Sequence, residues 1–335
     1  MMARRHARRT QADGVEMIEV SRRSVMGWSL AAAASGLAAG PSAGAAEPFF
    51  KRTGLPLGLQ LYTLGGDLRA DLDGQLGQVA KIGYRTVEMA GYLGRTASEL
   101  RAAFDRAGLT CPSSHVQGRR GGSDPSLEDL DRLIPDAHLI GIQHIVMPSF
   151  PVPDRPEMKP KAGEATLAYR TRLAEQITAD DWKTAADLLN AKGKALKPAG
   201  LTMGYHNHNV EFAPKGDTNG LEILLKHTDP TLVQFEMDVG WVVAAGRDPF
   251  AILKAHPGRF RQMHVKDVKA TTKPNFAIQQ DPAEVGSGVI DWKRLLPAAH
   301  AAGVRGFFVE QEAPFEHPRI ESVRISADYL KSLAA

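Results

Sequence analysis

The stretch Leu201-Thr202-Met203-Gly204-Tyr205-His206-Asn207-His208-Asn209-Val210-Glu211 opens on a short apolar run of strand length and closes on a string of side chains that do chemistry. Directly before it, Lys197-Pro198-Ala199-Gly200 ends a helical pattern, with glycine where a helix C-cap turns into a strand. A strand entered from a helix and left through polar residues is one βα unit of a parallel sheet.

The same unit recurs in both directions along the chain. Apolar runs at 57–62, 84–89, 110–115, 144–147, 201–206, 233–238, 260–264 and 306–310 alternate with helical spacing at 72–82, 97–107, 127–139, 182–196, 220–227, 249–255, 292–301 and 320–333. Glycine punctuates further helix-to-strand turns in Lys81-Ile82-Gly83, Arg106-Ala107-Gly108 and Ala302-Gly303-Val304. No GxGxxG follows the first run, which argues against a doubly wound dinucleotide fold. The pattern therefore predicts the α/β class and a closed (β/α)8 TIM barrel over residues 47–335 as a single domain. A segment from 148 to about 180, rich in proline and charge, interrupts the fourth unit and reads as a lid over the mouth or as a surface loop.

Residues 1–46 have a different character. Arg22-Arg23 precede an apolar, Ala-rich run over 27–39 that ends in Ala43-Gly44-Ala45-Ala46. That order matches a twin-arginine export leader, and the expectation is a cleaved or unstructured segment and a periplasmic body. The run is too short to span a bilayer, so no membrane span is expected after cleavage. The leader carries six Arg against three acids, the whole of the formal +3, and the body is neutral. A neutral body lacks the basic footprint of a nucleic-acid binder, which leaves a small molecule as the expected partner. Cys111 is the only cysteine, so no internal disulfide can form and the core alone must hold the fold. A homo-oligomer is left open.

In a barrel of this kind the working residues sit where strands end. Strand five runs into His206, His208 and Glu211, strand six ends in Glu236-Met237-Asp238, strand seven in His264-Val265-Lys266-Asp267 and strand eight in Glu310-Gln311-Glu312. Carboxylates and imidazoles crowded into a half-buried mouth lose hydration, and a divalent cation offsets that loss. An oxygen-rich set with one imidazole favours Mn²⁺ or Mg²⁺, with Zn²⁺, Co²⁺ or Fe²⁺ as substitutes.

Five strings in order, Gly58-Leu59-Gln60-Leu61-Tyr62, Val87-Glu88-Met89-Ala90-Gly91-Tyr92, Tyr205-His206-Asn207-His208, His264-Val265-Lys266-Asp267 and Gly286-Ser287-Gly288-Val289-Ile290-Asp291-Trp292, resemble the sugar phosphate isomerase/epimerase group of xylose isomerase-like barrels. The resemblance implies one metal held by Glu211, Asp238, His264 and Glu310. His206 or His208, which share a face at period two, are alternatives to Glu211, and Glu312 is an alternative to Glu310. Where many members carry His three residues after the Asp ligand, this chain has Trp241.

The implied chemistry is removal of a proton beside a carbonyl, with Glu211 and Glu310 as acid and base or His206 and His208 as the proton shuttle. Lys266 is expected to steady an oxyanion or hydroxyl, or to pair with Asp267 or a neighbour. His115, Glu88 and Gln60 are expected to line the opposite wall, and Tyr62 and Trp241 either stack on a sugar face or serve as core aromatics. Export and the lack of a glycine-rich phosphate cradle point to a free sugar or glycoside. Returning the proton makes an isomerase or epimerase, and expelling a leaving group makes a 3-keto-glycoside lyase. A non-catalytic sugar-binding protein is the contrasting expectation.

Overall fold

The computed structural model describes residues 47–335 except residue 120, so the leader expected over 1–46 lies outside the described residues. Eight parallel strands, β1 (Gly58–Gln60), β2 (Thr86–Ala90), β3 (Thr110–His115), β4 (His144–Met147), β5 (Thr202–His206), β6 (Val233–Asp238), β7 (Phe260–Val265) and β8 (Gly306–Val309), close into a barrel in chain order, with β1 paired to β8. No helix among the described residues is long and apolar enough to cross a membrane.

The two faces of the strands divide the labour. Leu59, Val87, Met89, Ile145, Met263 and Phe307 point outward and are sealed under the helices, each at most 1% exposed, the apolar layer that drives closure. The alternate positions point inward and are polar: Gln60, Glu88, Ser113, His206, Glu236 and His264 are all buried. Lower in the barrel, Phe308 fills the inner face, and glycine is required beside it because a Cβ on Gly58 would lie 2.5 Å from the Phe308 ring.

Local signals fix the helices. Thr96 and Glu99 form a capping box at the start of Ala97–Ala107, and Thr178 and Asp181 form another at the start of Ala179–Leu196. Gly83 and Gly108 end helices at φ of 121° and 68°, where a side chain would strain. The second box starts its helix three residues before the expected 182. β1 ends at Gln60 instead of 62, because the Gln60 side chain accepts the Tyr62 amide at 3.0 Å and turns the chain into a 3-10 helix, Leu61–Leu64.

The segment after β4 carries structure of its own, a 3-10 turn at Pro156–Met158 and a helix at Thr166–Gln176. Arg172 ties it together by donating to Glu164 at 2.6 Å and to the Lys159 carbonyl at 3.0 Å, while Arg155 grips Asp181 at 3.0 and 2.9 Å. The segment lends Pro148, Ser149 and Arg170 to the wall of the mouth. Cys111 is sealed in β3, 2% exposed, and burial pushes its thiol pKa up.

Asp267 explains the Gly286–Trp292 string. Its carboxylate accepts the amides of Val268, Gly286 and Ile290 at 2.9, 3.0 and 3.2 Å and the Trp292 indole N–H at 2.8 Å. A Cβ on Gly288 would stand 2.1 Å from Asp267 Oδ1, so glycine is required there too.

Candidate metal centre

Two clusters of ligand atoms, each within 4.8 Å, meet at the inner ends of the strands: Asp238, His264 and Glu310, and His115, His206, Glu236 and His264. His264 belongs to both. Its Nδ1 lies 2.9 Å from Glu310 Oε2 and its Nε2 lies 2.6 Å from Glu88 Oε2 across the barrel. Glu236 Oε2 takes His115 Nε2 at 2.9 Å and His206 Nδ1 at 3.0 Å and stands 3.2 Å from His264 Nε2.

Beneath this layer, Glu88 accepts from Gln60 at 2.7 Å and from Ser113 at 2.5 Å. Gln60 and Glu88, expected on the wall of the mouth, are thus fully buried supports under the imidazoles. His115 does line the mouth, as do His206, His208, Glu310 and Tyr62. Tyr62 is 58% exposed there, whereas Trp241 is 1% exposed and packs behind the site, its ring 5.0 Å from Lys266 Nζ and 5.4 Å from the His208 ring.

Of the two ion pairings expected of Lys266, with Asp267 or with a neighbour, the structure has the second. Its ammonium stands 2.8 Å from Asp238, 2.7 Å from Glu310 and 2.6 Å from Glu312. Burial opposes its charge, but Asp238 and Glu310 outweigh that and hold its pKa well above the lysine range. Glu211 occupies a separate buried niche, accepting the Tyr205 hydroxyl at 2.7 Å and the His208 amide at 2.9 Å. Burial pushes it up to about 7, with the charge of Asp238 adding to the rise.

The other groups divide by sign. Against burial, the charges of Glu236 and Glu310 raise His264 well above the histidine range, and Glu88 and Glu236 raise His115. Burial pushes His206 well down and His208 to about 4. Burial works to raise Glu88 and Glu310. The charges of His115 and His264 hold Glu88 at about 2, and those of Lys266 and His264 hold Glu310 well below the carboxylate range.

Glu88, Glu236, Asp238, Glu310 and Glu312 therefore face one ammonium and two imidazoles with raised pKa. Lys266 supplies part of the neutralisation that the sequence assigned wholly to a metal. Glu236 Oε1 nonetheless has no hydrogen-bond partner among the described residues, and Asp238 Oδ2 meets Lys266 at 2.8 Å with His206 Nε2 and His264 Nδ1 each 3.7 Å away. Buried carboxylate oxygens with spare lone pairs beside an imidazole are the donors a divalent cation takes, so these residues fit one. Glu236 stands among the strand-end residues named from the sequence but without a ligand role there, although it shares a face with Asp238 at period two, the signal that points to one.

The mouth above the clusters is a chamber of about 490 Å³, within the size range of small-molecule sites. A family model described as xylose isomerase-like TIM barrel matches residues 76–333. An inosose dehydratase from Geobacillus thermodenitrificans is 32% identical over 156 residues, 42% of this chain and 51% of the relative, so the chain spans about half the length of that curated relative. A sugar phosphate isomerase/epimerase from Parabacteroides distasonis superposes with a TM-score of 0.65 at 29% identity, covering 84% of this chain and 95% of that one. The IolI protein, crystallised with a zinc atom, superposes with a TM-score of 0.58 at 16% identity over 83% of this chain and 98% of its own, a likeness of fold.

Proposed function

Because the chain belongs to the xylose isomerase-like TIM barrel family, we propose that it is a divalent-metal-dependent enzyme that removes a proton beside a carbonyl of a sugar-like polyol. The convergence of Asp238, His264 and Glu310 at the floor of the mouth carries this reading. These three would hold the ion, and Glu211, which would have to release Tyr205 or the His208 amide to reach it, is the proposed fourth donor. The IolI likeness makes zinc one metal to test beside Mn²⁺ and Mg²⁺. When bound, the ion supplies Lewis acidity toward the carbonyl.

The chain's own groups do the rest. His206 and His208 line the chamber and are the proposed proton shuttle, taking the proton from the substrate and returning it. Lys266 bridges Asp238 and Glu310 and orients both. Tyr62, exposed at the rim, offers a ring face to the sugar.

A second reading, elimination in place of proton return, has its own support. Both oxygens of Glu211 are engaged by Tyr205 and His208 and Glu211 does not line the mouth, so it does not stand there as a second catalytic carboxylate opposite Glu310. The dehydratase relative points the same way. Elemental analysis of the purified protein tests the metal. Incubation of metal-loaded protein with ketohexoses, a keto-inositol and 3-keto-glucosides tests the reaction: a product of equal mass marks the isomerase or epimerase, loss of water or of an aglycone marks the lyase, and no product with any of them refutes the proposal. On the Arg22-Arg23 leader we place the enzyme in the periplasm, which cell fractionation checks.

A further inference from the structure

We propose that Arg170 positions the substrate, gripping oxygens not taken by the metal, and that the carbonyl of a strained Ile278 aims it. The inference rests on the sugar-binding reading above. Ile278 sits at φ 54°, a left-handed conformation that a β-branched residue adopts only when its surroundings force it. Its surroundings do so from both sides. Its amide donates to Asn209 Oδ1 at 3.0 Å, and its carbonyl accepts Arg170 Nη1 at 3.0 Å.

Asn209 is fully buried and is itself pinned, donating to both the carbonyl and Oδ1 of Asn275 at 2.9 Å. Three loops of the mouth, those after β4, β5 and β7, thus converge on one residue. Glycine would make this turn without strain, and what isoleucine adds is an apolar side chain in the chamber, which Ile278 lines together with Arg170.

Arg170 is the informative partner. Asp124, Glu310 and Glu312 also line the chamber, yet among the described residues Arg170 forms no ion pair and makes one hydrogen bond, to Ile278. A guanidinium has five N–H donors in a rigid fork, so most of this one is free to meet hydroxyl or carbonyl oxygens.

The test uses metal-loaded full-length protein and the Arg170→Met, Arg170→Lys and Ile278→Gly variants. Calorimetry gives the affinity for the inert polyols myo-inositol and xylitol, and kinetics on the keto-sugar panel above separates KM from kcat. Arg170→Met should weaken binding or raise KM by about tenfold or more, the worth of a charge-assisted hydrogen bond, with kcat changed less than about twofold. Lysine should not restore it, since the fork is lost. Ile278→Gly should melt no lower than the parent and still bind more weakly. Unchanged affinity and KM in Arg170→Met, with or without a lower Tm, overturns the inference. Polyol binding that depends on Arg170 without turnover sustains it while sinking the catalytic reading, and a parent that neither binds nor turns over any probe overturns both.

Discussion

Glu236 serves three imidazoles through one oxygen and leaves the other bare, so its charge does more for ring orientation than for its own solvation. Replacing it by glutamine should weaken divalent-metal affinity by about 10- to 100-fold, the usual effect of losing a group that orients a ligand. Metal titration of the dialysed protein measures this, and an unchanged affinity would show that His264 needs no such support. Asp238→Asn removes a proposed ligand directly and should abolish turnover while the protein still folds, as circular dichroism would report. Outside the centre, Gly288→Ala drives a methyl into Asp267 and should destabilise by about 1–3 kcal/mol in urea titration. The sequence led to Asp238, His264 and Glu310 because each stands at a strand tip. It did not reveal Lys266 as their shared counter-charge, since a lysine beside an aspartate in sequence gives no clue that the two point apart.

At the scale of elements, the strands were legible because both signals agreed: outward positions are apolar, and glycine marks the turn into several of them. Boundaries moved where a side chain intervened, Gln60 stopping β1 early and the Thr178 box starting its helix early. The segment after β4 was the least legible, because its order comes from ion pairs and a few buried contacts in place of a strong apolar period. Those ion pairs make it acid-sensitive. The Arg172 guanidinium and the Lys161 amide hold Glu164 at about 2, below its ordinary 4.5. A depressed carboxylate pKa contributes stability that is present above 4.5 and is lost as pH falls through 2. Hydrogen exchange in the segment should therefore accelerate between those values; protection that stays flat across the window would deny Glu164 that role. Thr178→Ala should cost about 1 kcal/mol through its lost cap, seen as a lower Tm.

For the whole molecule, the barrel is apolar outside its strands and polar within, so its centre contributes charge recognition and the interface between strands and helices contributes the cohesion. Metal should then act as a global stabiliser. At a hundredfold excess over Kd it adds about 2.7 kcal/mol, a rise of about 5–10 °C for a domain of this size. Calorimetric scans with and without chelator check this, and coincident scans would count against a bound ion. Cys111 gives a second view of the same event. With one sulfhydryl in the sequence, enclosed in β3 and kept protonated by its surroundings, the protein carries a built-in reporter. A chromogenic thiol reagent would stay colourless over native protein, and the rate at which colour develops would time each excursion of the barrel into an open state, with no label to introduce.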